Sequence, residues 1–431
     1  MNNKGSSSKS FIWQVLQTIF TRFAVQSISI IGSIFIIREL GIYERGQFAF
    51  AASIIAIGIQ FANLGFHSVN TIHLSKKPTL LNAILANNTI IITAGTALFI
   101  LIFSLIYSLS FTSNSDAKAS ILIGLLCVPI GLLSLFNQNI LIALGKIQDF
   151  NITEFIQKFT FVLLAVPAAF LTNSAETVLI CSFLSFLATY IYTKKTFQNK
   201  FSHFKKNIDL NLIKSSTKTA IKLYSVCLCM FLILKIDIWM IEAILGTKAT
   251  GIYSVASSLT DSLLIVPSIV GQLIFPRFVK NIGSRRKELF QTILLIFAFM
   301  IPVCFFVYFF SGNIITLIFG ESFIASSLSL RWLAFAASFL GANTILMNYL
   351  SAKEIPSFVF LSLILSCLLN IILNFLLLRD IGIHGAAISS LVAYLGIFIL
   401  NSFYILFLDK SDSKDNKLED NNSICSSTNN K

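Results

Sequence analysis

The sequence predicts an all-α polytopic membrane protein, and three observations support this fold class. Of the 431 residues, 55% are hydrophobic and only 12% are charged, and the mean hydropathy is +0.82. Soluble domains carry roughly 25% charged residues, so this chain has too few charges to cover a water-facing surface. Apolar runs of the length that crosses a bilayer, about 20 residues, recur along the chain. A repeated string of residues indicates that the spans form two related halves.

Twelve apolar runs are long enough to be transmembrane helices. Glycines or short polar clusters separate them, which sets their approximate ends. We expect the spans at 13–37, 46–66, 82–109, 119–143, 151–171, 177–193, 221–242, 251–273, 289–310, 327–349, 357–378 and 386–408.

The repeat joins the first and second halves of the chain. The string "RELGIYERGQFAFAAS" begins at Arg38, and "EAILGTKATGIYSVASS" begins at Glu242. Matching residues keep a constant offset of 205, so the strings indicate a duplicated unit. They are Leu40, Gly41, Gly46, Phe48, Ala51 and Ser53 in the first string, and Leu245, Gly246, Gly251, Tyr253, Ala256 and Ser258 in the second.

An even number of spans returns the chain to its starting side, so two six-span units share one orientation. Such units are related by an axis along the membrane normal and can enclose a central cavity. We therefore predict two parallel six-helix bundles around a central cavity. The predicted division is an N-terminal bundle at 11–193, a basic cytoplasmic linker at 194–220, a C-terminal bundle at 221–408 and a disordered cytoplasmic tail at 409–431.

The basic residues predict the orientation of the chain. Most of the 32 Lys and Arg residues fall in segments on the same side as the N-terminus. Positively charged segments stay in the cytoplasm, so we expect both termini there. Basic loops beside anionic lipid headgroups also account for the net charge of +13, and we expect no nucleic-acid partner.

Ionisable residues inside the predicted spans are the strongest functional signal. A charge at mid-helix costs about 2.5–3.5 kcal/mol on insertion scales, so it normally faces a partner or a wet cavity. Arg22 lies near the centre of the first span, and no acid stands three or four positions away. Lys235 and Asp237 are two positions apart and point to different sides of their helix. We expect these three to face a cavity, whereas Asp261 either shares it or pairs with Lys235 or Arg22.

Glu154 and Lys158 form the remaining pair of charged residues within a span. They are four positions apart with the acid first, the favoured order for a pair within one helix. Two interpretations stay open. The two residues are a structural pair near the cytoplasmic end of the fifth span, or they belong to the cavity.

The motifs of the chain resemble those of the polysaccharide flippases, the Wzx-type transporters of O-antigen repeat units. "LGIYERGQFAFAASI" followed by "NLGFHSVN" is similar to the stretch that links the first two spans of that family. "SAKEIPSF", "LNIILNFLLL" and "GIHGAA" are similar, in this order, to its second-half motif. The matching residues of that motif are Ala352, Lys353, Asn374, Leu377, Gly382, Gly385, Ala386 and Ala387.

This resemblance implies the fold and the activity of the multidrug/oligosaccharidyl-lipid/polysaccharide (MOP) superfamily. The implied cargo is an undecaprenyl-diphosphate-linked oligosaccharide, such as a repeat unit of O-antigen or lipopolysaccharide, moved across the bacterial inner membrane by alternating access. Membrane lipids are implied partners, and so are a polysaccharide polymerase and a chain-length regulator. We expect no enzyme activity, no metal site and no cofactor other than a coupling H⁺ or Na⁺.

The charged residues in the spans can be assigned roles in such transport. Arg and Lys suit the oxygens of a diphosphate, so Arg22, Lys235 and Lys158 are candidates for the cargo headgroup and the cavity. Asp237, Asp261 and Glu154 are candidates for ion coupling. A multidrug cation antiporter of the same superfamily is the first alternative, and a membrane polysaccharide polymerase or ligase is the second. The buried cations disfavour the antiporter, and the short outer loops disfavour the enzyme.

Overall fold

The computed structural model describes residues 4–110, 118–200, 208–280, 285–352 and 356–408, and within these ranges it consists of helices and turns without a strand. The predicted all-α class is therefore confirmed. Ten helical stretches of the described residues are long and apolar enough to cross a membrane. The predicted number of twelve spans stays a prediction, and the tail at 409–431 lies outside the described residues.

The chain divides into two compact units, Met1–Ser254 and Val255–Lys431. This division falls within a helix, beyond the predicted start of the second bundle at residue 221, and the predicted domain boundaries stay a prediction. The first unit contains α1 (Lys4–Ala62), α2 (Phe66–Lys76), α3 (Leu81–Ser110), α4 (Lys118–Ala143), α5 (Ile147–Thr172), α6 (Ala175–Lys200), α7 (Leu210–Leu245) and the start of α8 (Thr247–Leu263).

The second unit is built around α11, which packs against α9, α10 and α13. Its core holds amide side chains that bond to each other: Asn401 donates to Asn343 at 2.8 Å and accepts from Ser362 at 2.8 Å. Polar groups pair in this way between helices that lipid surrounds. The unit contains the rest of α8, then α9 (Ile265–Lys280), α10 (Arg285–Phe319), α11 (Ser327–Ser351), α12 (Ser357–Ile381) and α13 (Ile383–Phe403).

The eighth predicted span, 251–273, is divided in the structure. It forms α8 and α9, which are separated at Leu264. Pro267 follows three residues later and has no backbone N–H to donate. The break therefore lies where proline removes a helical hydrogen bond.

The first two predicted spans form one bent helix. We expected a loop between residues 37 and 46, but α1 is helical throughout apart from Gly41, whose φ of 67° and ψ of −178° interrupt it. A positive φ is readily accessible to glycine because it has no Cβ. Gly246, the repeat equivalent of Gly41, ends α7 with φ 82° and ψ 178°. The two halves of the repeat thus share the same backbone conformation at this glycine.

The two repeat strings also pack against each other, in a reciprocal way. A Cβ added to Gly46 would collide with the carbonyl oxygen of Thr247, and one added to Gly251 would collide with that of Ile42. Thr247 and Gly251 are the repeat equivalents of Ile42 and Gly46. Each contact is therefore the image of the other, as in a two-fold interface. We call these four residues the glycine contact.

Aromatic rings hold α7 against α1 and α3 within the first unit. Trp239 lies edge-on to Phe50, with ring centroids 6.0 Å apart, and to Phe103, with centroids 5.6 Å apart. Aromatic rings prefer this edge-to-face arrangement. About four turns earlier on α7, Tyr224 donates from its hydroxyl to the carbonyl of Phe61 at 3.0 Å.

The predicted linker at 194–220 is partly helical. α6 continues to Lys200, and α7 begins at Leu210, after Asp209 accepts a capping hydrogen bond from the backbone N–H of Leu212 at 3.0 Å. Asn87 of α3 bonds to the backbone of Asp209 in both directions, at 2.9 and 3.0 Å. These bonds dock the start of α7 on α3, so the chain here is part of the packed unit.

Candidate functional site

A cavity of about 400 Å³ lies inside the first unit, between α1, α4, α5 and α6. One part of its wall is apolar and includes Ile55, Ile59 and the rings of Phe161 and Phe186. The other part is polar. Its side chains are Ser134 and Gln138 of α4, Gln157 and Lys158 of α5, and Ser182 and Ser185 of α6.

Helical spacing and contacts between helices place the polar side chains together. Ser134 and Gln138 are four positions apart, so they share a face of α4. Gln138 donates to the side-chain oxygen of Gln157 at 3.3 Å, which links α4 to α5. Ser134 donates to the carbonyl of Phe186 at 3.2 Å, which links α4 to α6. Hydrogen bonds thus hold the polar side of the cavity in one arrangement.

Lys158 is the one charged side chain among the residues that line the cavity. Its side chain is exposed, and Glu154, which interacts with it electrostatically, lies one helical turn away. Both interpretations made from the sequence are compatible with this geometry, since a pair within the helix also presents its cation to a cavity. The role of either residue in transport stays a prediction.

Lys235 and Asp237 lie on α7 and do not line this cavity. Asp237 is only 3% exposed and accepts a hydrogen bond from the Tyr253 hydroxyl at 2.8 Å. Lys235 is half-buried. Tyr253 is the aromatic residue of the second repeat string, so the repeat motif supplies a partner for the buried acid.

Arg22 and Asp261 complete the set of predicted residues. Arg22 belongs to α1, but its side chain lies outside the described part of the chain. Asp261 is exposed, near the end of α8 in the second unit. The described structure thus brings Glu154 and Lys158 together, and the predicted meeting of Arg22 with Lys235 stays a prediction. Within the described ranges, no cluster of three or more His, Cys, Asp or Glu side chains could hold a metal ion.

Arg45 is a residue whose burial the sequence interpretation missed. We placed it in an outer loop, but it is 7% exposed and donates from Nε to the Ser254 hydroxyl at 3.0 Å. Its guanidinium lies 5.5 Å from the centre of the Phe48 ring, within the range of a cation–π contact. The one feature of the sequence that could have indicated its burial is its position directly before Gly46 in the repeat.

Comparison with known protein families gives two matches. The family model described as "Polysaccharide biosynthesis protein" matches residues 9–282, and the model described as "MatE" matches residues 224–376.

Two curated relatives have names that describe transport. The probable low-salt glycan biosynthesis flippase Agl15 of Haloferax volcanii is 26% identical over 176 residues, which are 39% of this chain and 37% of that protein. A putative O-antigen transporter of Shigella flexneri is 22% identical over 294 residues, which are 65% of this chain and 68% of that protein.

Among solved structures, the lipid II flippase MurJ in an inward closed conformation has a TM-score of 0.74 to this chain. The match covers 92% of this chain and 89% of that chain, at 15% identity. This likeness concerns the fold and confirms the predicted MOP fold. Because the first family model spans more than half of the sequence, the chain belongs to the polysaccharide biosynthesis protein family.

Proposed function

We propose that the protein moves an undecaprenyl-diphosphate-linked oligosaccharide from the cytoplasmic to the outer leaflet of a bacterial inner membrane. The match of residues 9–282 to the polysaccharide biosynthesis family carries this proposal. The relatives named as a glycan biosynthesis flippase and an O-antigen transporter support it. The protein acts as a transporter, not as an enzyme, with both termini in the cytoplasm.

The chemistry of the cavity supports the same proposal. The headgroup and sugars of such a cargo are polar and cannot cross hydrocarbon bare, because an unpaired polar group in lipid costs several kcal/mol. The first unit offers a cavity with one polar wall inside helices whose outer faces are apolar. Polar side chains inside an apolar shell are what the passage of a hydrophilic headgroup requires.

The charged residues of the spans have separate roles in this proposal. Arg22 and Lys235 bind the diphosphate, since a guanidinium fork and an ammonium both suit phosphate oxygens. Asp237, Asp261 and Glu154 exchange H⁺ or Na⁺ and couple transport to an ion gradient. A polysaccharide polymerase and a chain-length regulator receive the cargo after translocation.

The test of this function is deletion of the gene followed by complementation. We expect the deletion strain to accumulate a lipid-linked oligosaccharide on the cytoplasmic face and to lose surface polysaccharide. Wild-type protein restores export, and Arg22→Gln with Lys235→Gln does not, whereas a control that replaces Lys118, at the start of α4 and outside the predicted spans, restores it. Normal surface polysaccharide in the deletion strain would refute the proposal.

The second candidate function is a multidrug cation antiporter, which the match of residues 224–376 to the MatE family favours. The cavity of the first unit argues against it, because the one charged side chain in its lining is a cation, Lys158. The two candidates differ in a growth assay with cationic drugs. Drug sensitivity of the deletion strain with intact surface polysaccharide would favour the antiporter.

A further inference from the structure

We propose that the cavity of the first unit binds one or two sugar rings of the cargo, not its diphosphate. This inference rests on the proposed function and deepens it, because it assigns the glycan a place apart from the diphosphate. It follows from the size of the cavity, the direction of its hydrogen bonds, its charge and its aromatic rings.

The size of the cavity suits a small glycan. Its volume of about 400 Å³ lies near the lower end of the roughly 300–1,000 Å³ that is typical of small-molecule pockets. A mono- or disaccharide fits such a space, whereas a whole repeat unit with its lipid does not. The cavity can therefore select the sugar nearest the lipid without enclosing the rest of the cargo.

The direction of the hydrogen bonds on the polar wall favours a ligand that donates. Each of the three serine hydroxyls already donates to a backbone carbonyl: Ser134 to Phe186 at 3.2 Å, Ser182 to Val178 at 3.2 Å and Ser185 to Ser182 at 2.7 Å. Ser134 and Ser185 are only 2% and 3% exposed and hold the wall together, whereas the half-buried Ser182 presents an oxygen whose lone pairs can accept. A sugar hydroxyl can donate to Ser182, whereas an ionised diphosphate, which has only acceptor oxygens, cannot.

The other polar groups supply the donors that a sugar also needs. Lys158 offers N–H groups, and the amides of Gln138 and Gln157 have both a donor and an acceptor end. The lining as a whole therefore presents mixed donors and acceptors, which matches the hydroxyl groups of a carbohydrate, each of which can both donate and accept.

The local charge of the cavity also favours a sugar over a diphosphate. Lys158 is the one cation in the lining, and the carboxylate of Glu154 lies one turn away and interacts with it. The pair carries no net charge when both groups are ionised. A diphosphate carries more than one negative charge, and its binding would need a surplus of cations that this cavity does not provide.

The apolar part of the cavity wall also suits a sugar ring. Phe161 and Phe186 place aromatic rings on the cavity from α5 and α6. One face of a sugar ring presents C–H groups and can pack against such a ring, while its edges carry the hydroxyls. Pockets commonly combine apolar walls with a few placed polar groups in this way.

The experiment measures binding of lipid probes to the purified full-length protein in detergent by native mass spectrometry. One probe is undecaprenyl diphosphate without sugar, and the others carry a single hexose or N-acetylhexosamine. The quantity of interest is the ratio of their dissociation constants, which isolates the contribution of the sugar. We expect at least one sugar probe to bind about tenfold more tightly to the wild type than the sugar-free probe.

Two variants and a matched control test the site. Ser182→Phe fills the cavity and Gln157→Ala removes an amide, so each lowers the ratio to about one and leaves the affinity for the sugar-free probe unchanged. That unchanged affinity also shows that the variant is folded. Leu184→Phe adds the same ring on the exposed side of α6, where Leu184 is 40% exposed, and keeps the wild-type ratio.

Three results would overturn the inference. The first is a wild-type ratio of about one for every sugar probe. The second is a ratio that survives both Ser182→Phe and Gln157→Ala. The third is weaker binding of the sugar-free probe to Lys158→Gln, which would make the cavity a phosphate site. Failure of the proposed function can be distinguished from failure of this inference, since the wild-type protein would then bind none of the lipid probes.

Discussion

The glycine contact predicts that two substitutions far apart in the sequence have the same effect. A Cβ added to Gly46 or Gly251 would lie less than 3.0 Å from a backbone carbonyl oxygen, whereas ordinary Cβ contacts measure 3.4–4 Å. The two helices must therefore separate by more than 0.4 Å. A carbonyl cannot rotate away as a flexible side chain can, so Gly46→Ala and Gly251→Ala each disrupt the contact.

The size of the effect follows from two opposing contributions. Overpacking costs typically about 1–3 kcal/mol, and a rigid backbone partner places the cost near 3 kcal/mol. Alanine returns up to about 1 kcal/mol through its better helix propensity. The net cost of about 2 kcal/mol raises the population of molecules with an open contact about 30-fold.

The assay is the rate at which a maleimide labels a buried cysteine on α8. Thr250 is fully buried, and Thr250→Cys in a background without the native cysteines provides the reporter. We expect Gly46→Ala and Gly251→Ala each to raise the labelling rate about 30-fold. Gly312→Ala is the control, because its added Cβ would meet Ile324 at 3.5 Å, an ordinary contact.

Two outcomes would refute this reasoning. If both variants label at the rate of the control, the glycines are not needed for close packing. If one variant has the full effect and the other has none, the reciprocal geometry of the contact is wrong, because each half of the repeat must supply an equivalent contact.

Three further predictions concern hydrogen bonds and one histidine. Tyr253→Phe removes the hydroxyl that donates to buried Asp237, so we expect it to destabilise the protein by about 1–3 kcal/mol. Asp237→Asn keeps an acceptor for that hydroxyl, so we expect it to lower the melting temperature less than Tyr253→Phe does. The reverse order of the two melting temperatures would contradict this reasoning. Asn87→Ala removes both bonds to the backbone of Asp209, so amide exchange at the start of α7 should become faster in hydrogen–deuterium exchange, and unchanged exchange would show that α7 docks without them. Burial lowers the pKa of His67, on α2 outside the candidate spans, to about 4 from its ordinary value of 6.5. As pH drops, the unfolded chain therefore takes up this proton before the folded chain does, so stability falls between about pH 6.5 and 4. We expect the melting temperature of His67→Gln to vary less over this pH range, and an unchanged pH dependence would assign the effect to another group.

Helices in the middle of apolar stretches were predicted closely from the sequence. The third predicted span, 82–109, corresponds to α3 at Leu81–Ser110, and the fourth, 119–143, corresponds to α4 at Lys118–Ala143. The length and apolar character of a span are properties of the local sequence, since the bilayer requires them of each helix separately.

Contacts between segments distant in the chain could not be predicted from the sequence. The start of α7 contains lysines and resembles a linker, but it is capped by Asp209 and docked on Asn87. The segment around Arg45 resembles an outer loop, but it packs against the start of α8. Hydropathy cannot reveal such partners, because they are distant in the sequence.

The candidate site was predicted in part. The spacing of Glu154 and Lys158 indicated a pair, and the cost of a charge in lipid indicated a cavity or a partner. The serines and glutamines of the cavity gave no such signal, since a hydroxyl in a membrane helix commonly bonds to its own backbone. Only the packing of α4, α5 and α6 shows that these side chains share one space.

The sequence by itself determined the membrane class, the helical content, the repeat and the residues that are costly to place in lipid. The tertiary structure decided that the two repeat strings meet through reciprocal glycines, that Asp237 bonds to Tyr253, and that four helices form a cavity with one polar and one apolar wall. The reason is physical: helix formation and transfer into lipid depend on residues close together in the chain. Close packing and the satisfaction of buried polar groups depend instead on which helices come together.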